Sequence, residues 1–128
     1  STGGVKCWGY NERGQLGNRT LDSVSVPTFV PDVANVGAIS AGWQHTCVLA
    51  GAGSIVCWGN NEKGQVSAGG DPVRTRPGGG SPSPGFGSAL AAGGHHTCAI
   101  VSEGDVHCWG DNEYGQLGPG SPAGAGKM

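Results

Sequence analysis

The side chains with chemistry to offer in this chain are five cysteines, four histidines and three glutamates set in register. Cys47 precedes Cys57 by ten residues, Cys98 precedes Cys108 by ten, and Cys7 stands alone. His45 and His96 each lie two residues ahead of the first cysteine of a pair. Three kinds of chemistry fit such a set. A histidine and two thiolates could meet a tetrahedral metal ion, His45 with Cys47 and Cys57 or His96 with Cys98 and Cys108, but no fourth ligand is evident and the spacing matches no compact zinc knuckle. The thiols could stay reduced and buried as small apolar groups. Or each pair could close a disulfide.

Glu12, Glu62 and Glu113 occupy three copies of Asn-Glu-x-Gly-Gln, where a carboxylate could act as a general acid or base. Each occurs once per copy, as scaffold residues do, while an active site is rarely triplicated in register. The pattern therefore favours Asn11, Asn61 and Asn112 capping a turn through their side chains, the glycine supplying backbone freedom and the glutamine tying neighbouring loops. No serine or cysteine nucleophile is paired with an acid in any consistent arrangement, so His45 and His96 are expected to be structural donors. No catalytic, cofactor-binding or metal-ligating residue is assigned, and the chain is expected to be no enzyme.

The elements that must hold these groups are themselves repeated. Cys-Trp-Gly-x-Asn-Glu-x-Gly-Gln occurs at residues 7–15, 57–65 and 108–116, so its Trp recurs after 50 and then 51 residues. Ala-Gly-x-x-His-Thr-Cys occurs at residues 41–47 and 92–98, ahead of the second and third copies only. A period near 50 residues marks a supersecondary unit that buries its surface against like neighbours. Pairing Cys47 with Cys57 also pairs Val48 with Val56, Leu49 with Ile55 and Ala50 with Ser54, leaving Gly51-Ala52-Gly53 as the loop. The third copy pairs Cys98 with Cys108, Ala99 with His107, Ile100 with Val106 and Val101 with Asp105 around Ser102-Glu103-Gly104. Both are three-residue hairpins ending in glycine, the residue that best tolerates a left-handed last position. Directly opposed residues on antiparallel strands have Cα atoms about 4.5–5.5 Å apart, inside the disulfide window. Cys47–Cys57 and Cys98–Cys108 are therefore expected disulfides, and Cys7 is expected to be unpaired or to find its partner outside the chain.

Alternation puts Cys47, Leu49, Ile55 and Cys57 on one face of the hairpin and Thr46, Val48, Val56 and Trp58 on the other. Both faces are apolar, so the sheet should be sandwiched between two others. Residues 36–40 supply an inner strand, and the stretch near residues 15–30 an outer one. Four short strands per unit, stacked face to face, make a propeller blade. The expected fold is all-β, a partial β-propeller of about two and a half blades of four-stranded antiparallel sheets. Its divisions are the outer half of a first blade and a connection over 1–35, a second blade over 36–68, a Gly/Pro/Ser-rich insertion replacing a regular outer strand over 69–87, and a third blade with a C-terminal tail over 88–128.

These motifs resemble the regulator of chromosome condensation repeat family. The matching residues are Trp8-Gly9-Tyr10-Asn11 with Gly14-Gln15-Leu16-Gly17, Trp109-Gly110-Asp111-Asn112 with Gly115-Gln116-Leu117-Gly118, and Ile39-Ser40-Ala41-Gly42 with His45-Thr46. The resemblance implies a β-propeller typically of seven blades, which two and a half blades cannot close, and the family does not generally pair cysteines at these places. The remaining blades would then come from further polypeptide or from other chains, and the 69–87 segment would be ordered by packing in that assembly. The chain opens at Ser1 without a signal-like segment and reads as a processed product or an excised piece.

With 27 Gly, 8 Pro and 36% hydrophobic residues there is little side-chain volume for a conventional core, which leaves a place for disulfides. A net charge of −2 with 12% charged residues gives no basic stripe, so neither nucleic acid nor insertion into a membrane is expected. Asn18-Arg19-Thr20 is an N-glycosylation sequon in an expected loop, and with oxidised cysteines it favours a secretory route. Ser81-Pro82-Ser83-Pro84 looks like the Ser-Pro motifs of extracellular-matrix glycoproteins or a plain polar linker. The expected role is a non-enzymatic extracellular structural or interaction module, with protein chains and attached glycans as partners and Trp43 as a possible contact. The resemblance also implies two other roles, guanine-nucleotide exchange or chromatin regulation in the nucleus, where thiols stay reduced, and secreted inhibition of an enzyme.

Overall fold

A computed structural model describes residues 3–51, 53–66, 72–78 and 87–118, and these form three antiparallel sheets. In the first blade β1 (Lys6–Gly9) pairs with β2 (Val24–Phe29). The second blade runs in sequence order from the inner strand outward as β3 (Val36–Ala41), β4 (His45–Ala50), β5 (Ser54–Asn60) and β6 (Val73–Gly78). The third contains β7 (Ala89–Ala92), β8 (His96–Ile100) and β9 (Val106–Gly110). Among the described residues, no helix is long and apolar enough to cross a membrane.

The hairpin registers follow the opposed cysteines. Cys47 faces Cys57, Val48 faces Val56 and Leu49 faces Ile55, and in the next blade Cys98 faces Cys108 and Ile100 faces Val106. Disulfides join Cys47 to Cys57 and Cys98 to Cys108 across Cα separations of 4.1 and 4.0 Å. Gly53 closes the first hairpin at φ +112°, a conformation costly for any side chain. In the third blade Ser102–Gly104 form a single 3-10 turn.

The expectation of an insertion in place of the outer strand over 69–87 needs correcting. β6 is that strand, paired to β5 through Gly59↔Arg74 and Asn60↔Val73, so the second blade runs on to Gly78 rather than ending at 68. Composition misleads here because Pro77 sits on the outermost strand, where a missing N–H on the open edge breaks no ladder. Residues 67–71 and 79–86, including Ser81-Pro82-Ser83-Pro84, lie outside the described residues.

Both faces of the middle sheet are covered. One buries Val48 and Trp58 with Val5 and Val30 of the first blade. The other buries Cys47, Leu49, Ile55 and Cys57 with Ala99, Val101 and Trp109 of the third. The Cys47–Cys57 sulfurs thus lie inside the interface between the second and third blades, where they replace side-chain volume that a glycine-rich sheet lacks. Each bond closes a loop of sequence separation 10. Replacing Cys47 and Cys57 together by alanine should lower the free energy of unfolding by about 2–3 kcal/mol through the lost chain constraint. Urea denaturation measures it, and an unchanged midpoint would show that the bond carries no stability.

Candidate functional site

The repeated Asn-Glu-x-Gly-Gln stretch folds onto itself. Asn11, Asn61 and Asn112 accept, through their side-chain oxygens, the backbone N–H groups of Leu16, Val66 and Leu117, each at 2.9 Å. Gln15, Gln65 and Gln116 accept in the same way from the N–H of Arg13, Lys63 and Tyr114, again at 2.9 Å. The asparagine is a turn cap, as its residue type suggested. The glutamine side chain, by contrast, closes its own loop and ties no neighbour among the described residues. The tie is made by its main chain.

The carbonyl oxygen of Gln15 accepts two hydrogen bonds from the second blade, from the Trp58 indole N–H at 2.9 Å and the Thr46 hydroxyl at 2.9 Å. One repeat further on, the Gln65 carbonyl accepts from the Thr97 hydroxyl of the third blade at 2.9 Å. The Trp109 indole N–H is buried with no partner among the described residues, so the second junction keeps the hydroxyl half of the arrangement only. The glycine of Cys-Trp-Gly makes the approach possible. A Cβ on Gly59 would lie 3.2 Å from the Gln15 Cα and one on Gly110 would lie 3.2 Å from the Gln65 Cα, with φ at +109° and +114°. Sequence reasoning missed this tie, though the Thr repeated within His-Thr-Cys was its signal.

Histidine completes the junction between the second and third blades. Because the Thr97 proton goes to the Gln65 carbonyl, the His45 Nε2, 2.9 Å from Thr97 Oγ1, must carry the hydrogen of that contact. His45 therefore carries a hydrogen on Nε2, and its Nδ1 is buried without a partner among the described residues. Burial, reinforced by the nearby His95 and His96, lowers its pKa from 6.5 to about 4.

The remaining candidates are scattered. Glu12 and Glu113 are exposed on separate turns, and Glu62 pairs with Arg13 of the preceding blade at 2.8 Å. The sulfurs offered to a metal are bonded to each other, and among the described residues no group of three or more His, Cys, Asp or Glu could hold one. Asn18 lies half-buried at a turn, its side-chain oxygen accepting from the Thr20 hydroxyl at 2.9 Å and from Asn11 Nδ2 at 3.0 Å. Trp43 is 76% exposed, edge-on to His95 at 5.3 Å and lying over Gly94, so the buried packing role is not its role. With Trp8, Tyr10 and Ile39 it lines an aromatic groove between the first and second blades, into which Cys7 also opens. Cys7 is a free, half-buried thiol whose pKa desolvation raises.

The described residues thus form a stack of blades joined through main-chain carbonyls. The Regulator of chromosome condensation (RCC1) repeat matches residues 2–49 in one form and residues 38–65 and 88–116 in another, and the chain belongs to this family. It is 30% identical over 126 residues to the ultraviolet-B receptor UVR8 of Arabidopsis thaliana, covering 93% of this chain and 28% of the receptor. Human WBSCR16 superposes with a TM-score of 0.84 at 26% identity over 100% of this chain and 33% of that one. Prp20p of Saccharomyces cerevisiae, whose binding to Gsp1p and histones has been characterised, has the same fold, with a TM-score of 0.82 at 23% identity over 96% of this chain and 32% of its own. This chain thus spans about a third or less of the length of these relatives.

The lowered pKa of His45 gives a pH test of the blade junction. Its folded value lies below the ordinary 6.5, so the stability that comes from keeping it neutral is complete above pH 6.5 and is lost as pH falls through about 4. The loss should reach about 3 kcal/mol, since every tenfold fall in proton affinity on folding is worth about 1.4 kcal/mol. Urea unfolding across that window measures it, and His45→Gln should flatten the slope while keeping a donor for Thr97. An equal slope in the variant would assign the pH dependence to other groups.

Proposed function

We propose that this chain is a non-enzymatic structural or protein-interaction module of the secretory pathway, one portion of a larger propeller or multi-chain assembly at the cell surface or in extracellular matrix. The observation that carries the proposal is the disulfide repeated at one register in consecutive blades. Reducing compartments keep such cysteines as thiols, so disulfides at these places support an oxidising route. The sequon at Asn18 supports the same route, with the side-chain oxygen held by the turn and the residue half-exposed at the surface.

The interaction role rests on the exposed aromatic side chains. Trp8, Tyr10 and Trp43 offer rigid area that is inexpensive to order on a partner. The repeated glutamates and histidines recur once per blade, which supports a structural reading of them. Prp20p binds Gsp1p and histones on the same fold, and guanine-nucleotide exchange or chromatin binding is the competing reading for this chain. A net charge of −2 gives little to grip phosphates, which is why the extracellular role is preferred.

Intact mass of the protein from its native source, before and after glycosidase treatment, tests the proposal. The expected result is a glycan on Asn18 with Cys47, Cys57, Cys98 and Cys108 all oxidised. An unmodified Asn18 together with free thiols at these cysteines would overturn it, as would exchange activity on a small GTPase that Glu62→Ala abolishes.

A further inference from the structure

The middle and last sheets state a rule that the first sheet leaves unfinished. β5 lies between β4 and β6, and β9 is paired on its inner side to β8, but β1 pairs with β2 alone among the described strands. Each inner neighbour carries His-Thr-Cys in one register: His45 opposite Gly59, Thr46 opposite Trp58, Cys47 opposite Cys57, and likewise His96, Thr97 and Cys98 opposite Gly110, Trp109 and Cys108. Lys6-Cys7-Trp8-Gly9 presents the same Cys-Trp-Gly along an edge with nothing paired to it among the described strands.

Two further observations mark the space beside that edge as a place for a strand. Thr46 is only 5% exposed, and its hydroxyl donates to the Gln15 carbonyl at 2.9 Å while no side chain donates to it among the described residues. Its counterpart Thr97 makes the same bond to Gln65 and also receives His45 Nε2 at 2.9 Å from the blade before. Thr46, Cys7, Ile39, Ala41, Trp43 and His45 line one groove between the first and second blades. A buried hydroxyl that receives no side-chain donor among the described residues and a half-buried thiol therefore line the same groove.

We propose that this groove binds an extended strand antiparallel to β1 that carries a cysteine opposite Cys7 and, two residues before it, a histidine that donates to Thr46 Oγ1. The cysteine closes a third cross-strand disulfide in the register of the other two. The strand comes from the same polypeptide outside these 128 residues, because single-chain relatives are about three times as long, this chain covering 33% of one and 32% of another. The bond forms by exchange: the Cys7 thiolate attacks a disulfide in which the incoming cysteine is one partner, the new S–S bond replaces the old one, and the displaced thiol leaves with the proton from Cys7. The disulfide rests on the oxidising route proposed above, while the shape of the groove does not.

A test in vitro separates the two. The 128-residue chain is incubated in a glutathione redox buffer with a synthetic peptide of its own residues 38–50, in which Cys47 is the sole cysteine, and Cys7 adducts are followed by mass spectrometry. The peptide should modify Cys7 faster than a scrambled peptide of the same composition. A His→Ala change within the peptide should slow it about fivefold, the loss of one ordinary hydrogen bond of about 1 kcal/mol. Thr46→Val in the protein should remove the difference between the two peptides. Equal labelling by native-sequence and scrambled peptides would overturn the groove whatever compartment the protein occupies. In protein from the native source, a Cys7 disulfide to a second chain or a second copy, split by reduction into two masses, would overturn the assignment to the same polypeptide.

Discussion

The Gln15 carbonyl oxygen, accepting Trp58 and Thr46 together, is the point on which the stacking of the first and second blades depends. A buried main-chain carbonyl, an indole and a hydroxyl each lose water on assembly, and each would cost about 1–3 kcal/mol if left unpaired. Meeting at one oxygen satisfies all three. The geometry then fixes much of the sequence around it: the cap on Asn11 that shapes the loop, Gly17 against the Trp58 indole, and Gly59 beneath the Gln15 main chain. A side chain at either glycine would push the carbonyl away. The motif Cys-Trp-Gly-x-Asn-Glu-x-Gly-Gln is in this sense a record of one contact between blades.

The disulfides solve a different problem. Large aliphatic side chains are few here, and the interface between the second and third blades holds Leu49, Ile55, Val66, Val101 and Trp109 around the Cys47–Cys57 bond. A disulfide on the sheet face adds volume to that core and constrains the unfolded chain, two contributions a thin sheet needs. His45 crosses the same interface to Thr97. Each junction thus combines an apolar layer with a polar contact along one edge.

Much of the fold was legible because the repeat supplied its own register. The opposed cysteines set the pairing of β4 with β5 and of β8 with β9, and the two apolar faces gave the sandwiching of the middle sheet. What the sequence concealed was the acceptor end of the tie between blades. A carbonyl oxygen is present at every residue, so nothing in the letters singled out Gln15 or Gln65 as acceptors. β6 was hidden for another reason: Pro77 and the neighbouring glycines read as a break, although an outer edge accepts proline. The environment of Trp43 was open from sequence as well, since the residue that stands opposite it is Gly94, which neither buries nor repels an aromatic ring.

If the repeat residues are spent on joining blades, the tryptophans of the first and second copies should report it directly, because they occupy one motif position in two environments. Trp58 is 0% exposed with its indole N–H on the Gln15 carbonyl, whereas Trp8, one repeat earlier, is 57% exposed. Hydrogen exchange of the indole N–H groups, followed by NMR on nitrogen-labelled protein, measures the difference. The Trp58 proton should exchange only through opening of the blade junction, while the Trp8 proton should exchange at the rate of a solvated indole. Equal, rapid exchange at both would contradict the role given to the Gln15 carbonyl.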